Sequence, residues 1–244
     1  MTMTHVARRG GAVLAALLLT TACLPANDSG GDDEETSESL PKGGQQLTEE
    51  EIRSVLPGED EVPQEMGRDD EEVDEAAHDP ESSSYPATCR DVELDGEEGA
   101  ALDEHQTAKV TQGYTGSYGG VVNVTVASHD EVVPGELFDA AGAAQETCTE
   151  FTKTNKDAST NKVSTTKWKL TPATIKPMGE RTYIANLEML SGDEVFKGGT
   201  VQLVGVTIGH NLVYIVYSAG PQSRLSTQVV EELAQTTVDN LEAL

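Results

Sequence analysis

Between Leu24 and Glu104 the chain carries 28 acidic side chains and 4 basic ones, whereas His105 to Leu244 carries 15 and 10. A stretch that dense in like charge and that poor in apolar residues buries too little surface to offset the entropy of ordering it. The charge map therefore predicts two regions: an acidic, disordered tether over 23–84 and a folded domain over 85–244. Only 36% of the 244 residues are hydrophobic and 4% aromatic, so one core cannot fill the whole chain. The net charge of −27 repels phosphate backbones and excludes nucleic acid as a partner.

The first 22 residues read as an export signal. Arg8 and Arg9 form a positive start, Ala12–Leu19 a short apolar run, and Thr20-Thr21-Ala22 a small-residue approach to Cys23. The apolar run is too short to span a bilayer, which takes about 20 residues, and it fits a cleaved signal peptide. The stretch Leu-Thr-Thr-Ala-Cys resembles a bacterial lipobox. That resemblance implies cleavage between Ala22 and Cys23 and a Cys23 bearing diacylglycerol and palmitate. Two or more acyl chains on one residue suffice for stable anchoring. The expected location is the extracytoplasmic face of the cell membrane, with lipid as the anchor. An incidental cysteine after an ordinary secretory signal is the alternative.

Within the acidic region one segment predicts order. Thr48 followed by Glu51 makes a capping box, and Leu47, Ile52, Val55 and Leu56 form a small apolar face that Pro57 terminates. A helix near 47–56 is too short to persist alone and must dock on something. The acidic runs lack the loop pattern of a calcium site.

Past Tyr85 the pattern alternates. Strands are predicted at Ala108–Tyr114, Val121–Ser128, Val163–Leu170, Thr182–Leu190, Thr200–Ile208 and Leu212–Ser218, with Gly-rich turns between several of them. Helices are predicted at Gly135–Asn155, with Leu137, Ala141, Ala144, Cys148 and Phe151 on one face, and at Ser223–Leu244, with the stripe Val230, Leu233, Ala234, Val238 and Leu241. The expected fold is α+β: an antiparallel sheet of about six strands packed with two main helices.

Once Cys23 is acylated, Cys89 and Cys148 remain. In an oxidising compartment they most simply pair. A reactive thiol is the alternative, but Cys148 stands among Glu146, Thr147, Thr149 and Glu150, which disfavour a thiolate.

These parts together resemble a known family. A lipobox, a polar linker, the Leu-Thr-Glu-Glu-Glu-Ile helix start at Leu47 and a cysteine at 89 come first. They are followed by Ala143-Ala144-Gln145-Glu146-Thr147-Cys148-Thr149-Glu150-Phe151 and by the late strand Gly209-His210-Asn211-Leu212-Val213. The pattern is similar to the extracellular sensor domain of the PknH-like receptor kinases of mycobacteria, a domain also found on actinobacterial lipoproteins. The resemblance runs from about Leu47 to Leu244. It implies an antiparallel sheet with two helices and a cleft suspected of holding a ligand. The kinase's domain has a second disulfide, for which this chain has no cysteines. With no kinase segment, the chain is expected to bind without signalling through itself.

Other sites find no support in the sequence. His78, His105, His129 and His210 form no metal-binding spacing, and His210, in a predicted turn, is expected to face solvent. No serine-hydrolase elbow occurs, and Gly113–Gly120 lacks the Lys-Ser/Thr of a phosphate loop. Trp168, between Lys167 and Lys169, is the one candidate for lining a ligand cleft; the alternative is a half-buried strand aromatic. The resulting expectation is a non-enzymatic, cofactor-free sensor or carrier domain. Its partners would be the membrane, through lipid, and an unidentified small molecule, lipid or envelope protein. An envelope interaction protein without a small ligand is the second reading. An enzyme acting on cell-wall or lipid substrates is the third.

Overall fold

A computed structural model describes residues 39–64, 66–72, 81–116, 119–156, 161–192, 197–223 and 227–244. The predicted signal, Cys23 and His78 lie outside them. In chain order the described elements are α1 (Glu49–Val55), β1 (Met66–Glu72), β2 (Glu81–Tyr85), a 3₁₀ helix (Ala87–Glu93), α2 (Glu97–Asp103), β3 (Gln106–Gly116) and β4 (Val121–His129). They continue with α3 (Glu136–Thr147), β5 (Glu150–Lys156), β6 (Val163–Thr171), β7 (Arg181–Ser191), β8 (Thr200–Ile208), β9 (Asn211–Ala219) and α4 (Thr227–Ala243).

Among the described residues nine strands, against the six expected, form one sheet in the order β1-β3-β4-β9-β8-β7-β6-β5-β2, and every neighbouring pair is antiparallel. All six predicted strands are present. The three additional ones are β1, β2 and β5. β1 (MGRDDEE) and β2 (ESSSY) are edge strands from the stretch read as tether. Their polar sequences give no alternation because an edge strand needs only a partner's backbone, and charge on it deters further pairing. The described residues from Ser39 to Ser84, read as tether, thus belong to the same compact unit as those from Tyr85 onward.

β5 is the second correction. The predicted helix Gly135–Asn155 stops at Thr147, and the chain turns at Cys148 into a strand. Phe151 sits in helical phase with Ala144 and Cys148, so its burial, expected on a helix, is met instead on a strand. The threonines at 147, 149, 152 and 154 carry the β preference that the spacing of apolar residues masks.

Each face of the sheet carries a core. On one face α1 and α4 cover Val204, Val206 and Ile208 of β8 and Val213, Ile215 and Tyr217 of β9. The four apolar residues of the capped segment, Leu47, Ile52, Val55 and Leu56, are all buried there, and Thr48 and Glu51 make the reciprocal capping bonds. On the other face α3, α2 and the 3₁₀ helix cover Tyr183, Ala185, Leu187 and Leu203. Strand alternation sends successive residues of β7, β8 and β9 to opposite cores. Cys89 and Cys148 are bonded, with Sγ atoms 2.08 Å apart, and staple the 3₁₀ helix to the end of α3. Tyr183 Oη donates to the Val92 carbonyl at 2.8 Å, and burial pushes its pKa up to about 12.

The two edge strands are consecutive in the chain. Nine peptide steps join Glu72 to Glu81, a reach of at most about 32 Å. Eight inter-strand spacings laid flat cover about 38 Å. The sheet must therefore curl, bringing its edges toward each other.

The chain reaches this body at the β8–β9 turn. Asn211 Nδ2 donates to the carbonyls of Gly43 and Gln45 at 2.9 and 2.8 Å, and the His210 amide donates to Gly44 O at 2.9 Å. Leu47 N donates to the buried Ser128 Oγ at 2.8 Å. Gly209, at φ +55°, lies against Gly44, and a Cβ there would run into its backbone.

His129 is buried beside this junction. Its amide donates to the His210 carbonyl, its Nδ1 lies 3.2 Å from the same oxygen, and His210 Nδ1 lies 2.9 Å from the His129 carbonyl. Burial holds the His129 imidazole below its ordinary pKa of 6.5. The unfolded chain therefore takes up this proton first, so stability is complete above about pH 6.5 and is lost as pH falls toward the folded value. His105 acts oppositely: its hydrogen bond to Asp130, 2.9 Å, raises its pKa, and its contribution is lost as pH rises through that value. We expect His129→Gln to flatten the fall in stability between about pH 6.5 and pH 5. Urea midpoints of both proteins across that range check it, and parallel curves would contradict the assignment.

Candidate functional site

Along β6 exposure alternates: Lys167 and Lys169 are exposed, whereas Trp168 and Leu170 are half-buried. The pleat thus turns Trp168 toward the α3 core and both lysines away from it. Lys167 pairs with Glu150 at 2.6 Å. Trp168 stands opposite Phe151 of β5 and Met189 of β7. Between Lys167 and Trp168 the register with β7 slips, because Lys167 faces Ser191 and Trp168 faces Met189. Leu190 is the extra residue of this β-bulge, a distortion that strands use to re-aim side chains.

Beside the bulge lies a cavity of ≈ 350 Å³. Trp168, Met189, Val121, Val201 and Ser218, which share one face of the sheet, line it together with Thr200 and Ala219. Gly119, Gly199 and Gly220 contribute backbone at the ends of strands. The register explains the assembly: Val121 pairs with Ser218, and Ser218 with Val201, so three strands bring adjacent residues to one row. Among the described residues no ionisable side chain lines the cavity. The indole Nε1 of Trp168 is buried and has no hydrogen-bond partner among the described residues.

A second cavity, of ≈ 500 Å³, opens where β6 ends at Thr171 and leaves the edge of β7 uncovered beside α3. Gln145 of α3 donates to the Ile184 carbonyl there at 2.6 Å. Its lining is more polar and includes Glu146 and Thr149.

Trp168 is a half-buried strand aromatic on β6 and also forms part of a cavity wall. The structure brings His129 and His210 together through backbone carbonyls, and it places His210 half-buried in the β8–β9 turn rather than facing solvent. Among the described residues no group of three or more His, Cys, Asp or Glu is arranged to hold a metal, and no helix is long and apolar enough to cross a membrane. Val121, Met189, Val201 and Ser218 escape sequence reasoning. They lie far apart in the chain, and each looks like an ordinary strand residue until the register aligns them.

No family model matches the chain, and no curated protein matches it. Solved structures do. The extracellular domain of PknH from Mycobacterium tuberculosis superposes with a TM-score of 0.57 at 15% identity, over 82% of this chain and 100% of that one. An uncharacterized protein from Mycobacterium smegmatis gives a TM-score of 0.41 at 12% identity, over 78% of this chain and 96% of that one. The chain shares the fold of the PknH extracellular domain.

Proposed function

We propose that this protein is an exported lipoprotein, cleaved between Ala22 and Cys23 and anchored through lipid on Cys23. It presents a non-enzymatic, sensor-like ligand-binding domain on the extracytoplasmic face of the cell membrane. The observation that carries the binding role is the Trp168 cavity: concave, mainly apolar and furnished with a few polar groups, the usual make-up of a small-molecule site. The Cys89–Cys148 bond supports an oxidising compartment. The shared fold supports the sensor-like reading, since that solved domain is extracellular.

Native mass spectrometry of protein purified from its own host tests the binding role. A co-purifying small molecule, lost when Val201→Phe fills the cavity, is the expected result. Repeated preparations carrying nothing would remove the basis for it. Anchoring has its own test. Cys23→Ser should abolish incorporation of labelled palmitate and release the protein from membranes; a variant that still sediments with membranes would refute lipid attachment.

A further inference from the structure

We propose that β7 accepts an added strand: an extended, basic segment of a partner polypeptide pairs with its free edge at Ile184, in the cavity beside α3. This site is separate from the Trp168 cavity and does not depend on a ligand there. Three observations carry it.

The first is the direction of the backbone. Met189 donates its amide to the Gly199 carbonyl, so the odd-numbered residues of β7 bond to β8 and the even-numbered ones face β6. Leu170 donates to Thr149 on the β5 side, which turns Lys169 and Thr171 toward Glu188 and Asn186. In that register Ala173 would come next, opposite Ile184. The chain instead leaves the sheet at Pro172, and pairing stops at Thr171. The amide and carbonyl of Ile184 therefore point to a place that no strand occupies. Among the described residues the carbonyl receives the Gln145 side chain, at 2.6 Å, and the amide finds no acceptor. Gln145 stands in for the N–H of a neighbouring strand. Open sheet edges of this kind take up extended peptides through main-chain bonds.

The second is Gly142. A glycine inside a helix is less stable there than an alanine. No neighbour requires this one, because a Cβ on it would meet nothing within 4 Å. Gly142 lines the same cavity of ≈ 500 Å³ as Gln145 and Ile184. On an added strand the residue opposite Ile184 points away from α3, and its two neighbours point toward α3 as Tyr183 and Ala185 do. Gly142 leaves room for them.

The third is charge. Glu146 also lines the cavity, is exposed and makes no ion pair among the described residues. A lysine or arginine beside the paired residue meets this carboxylate. The chain's net charge of −27 draws a basic segment and repels an acidic one.

The ¹⁵N-labelled full chain is titrated with three peptides, read at the Ile184 amide cross-peak. They are acetyl-Val-Lys-Val-Lys-Val-amide, its counterpart with Glu for both Lys, and the lysine peptide N-methylated at every residue. We expect the lysine peptide to move the Ile184 amide downfield saturably. The methylated form keeps the charge and loses every N–H, so it should bind at least fivefold more weakly, the worth of one net hydrogen bond. Glu146→Gln should weaken the lysine peptide about threefold, as for an exposed ion pair. Gly142→Leu should melt no lower than the parent, since leucine is the better helix former, and should block the lysine peptide. An Ile184 amide unmoved by the lysine peptide would overturn the site. A methylated peptide that binds equally well would overturn strand addition. Equal binding of the glutamate peptide would overturn the basic partner, and a folded Gly142→Leu that still binds would overturn the placement beside α3.

Discussion

Replacing Cys89 and Cys148 together by alanine is expected to lower the free energy of unfolding by about 4 kcal/mol. The two cysteines are 59 residues apart in sequence, and a closed loop of that size removes much of the unfolded chain's freedom. Both are buried, Cys89 at 0% and Cys148 at 2% exposure, so the bond lies within the α3 core. A domain of this kind is stable by about 5–15 kcal/mol in all, which makes the loss a large fraction of the total. The double replacement is the cleaner variant, because a single one leaves an unpaired buried thiol. Urea unfolding of the oxidised protein, the reduced protein and the double variant measures the effect. Coincident midpoints for all three would show that the bond contributes nothing.

Cutting the chain at Ser39 and at Tyr85 is expected to give opposite results. A chain beginning at Ser39 should melt as the full chain does. A chain beginning at Tyr85 should lose its cooperative transition. The difference lies in Leu47, Ile52, Val55 and Leu56, each at most 3% exposed against the α4 face. Their burial stabilises the body by roughly 6–12 kcal/mol together, at 1.5–3 kcal/mol for each side chain. Truncation also removes β1 from its pairing with β3 and β2 from its pairing with β5. Tyr114, fully buried, would lose the Pro57 carbonyl to which its hydroxyl donates at 2.9 Å. Ile52→Ala in the intact chain is the graded version and should cost about 3 kcal/mol. Near-UV circular dichroism during thermal melts distinguishes the outcomes. A Tyr85-started chain that melts like the parent would return residues 39–84 to the tether.

How much of this is legible depends on which physical signal each segment carries. The capped helix declares itself, because Thr48 and Glu51 serve only to start a helix and the four apolar residues behind them need a surface. The central strands do so by alternation. β1 does not, because its stability comes from backbone pairing with β3 and its charged residues follow the habit of sheet edges. β5 is hidden by a coincidence of phase at Phe151. Trp168 can be singled out as the lone tryptophan, yet the walls around it cannot. They exist only once β4, β9, β8 and β7 are aligned in register.

The junction at Gly43–Leu47 and the Trp168 cavity sit at opposite ends of β4, β8 and β9. The nine residues of β8 run from one to the other, a distance of roughly 25–30 Å. Tension at the Gly43–Leu47 junction therefore acts on the floor of the body, and the cavity lies at its roof. A molecule arriving at the opening need not pass the point where the chain enters, and tension at that point does not draw directly on the rim.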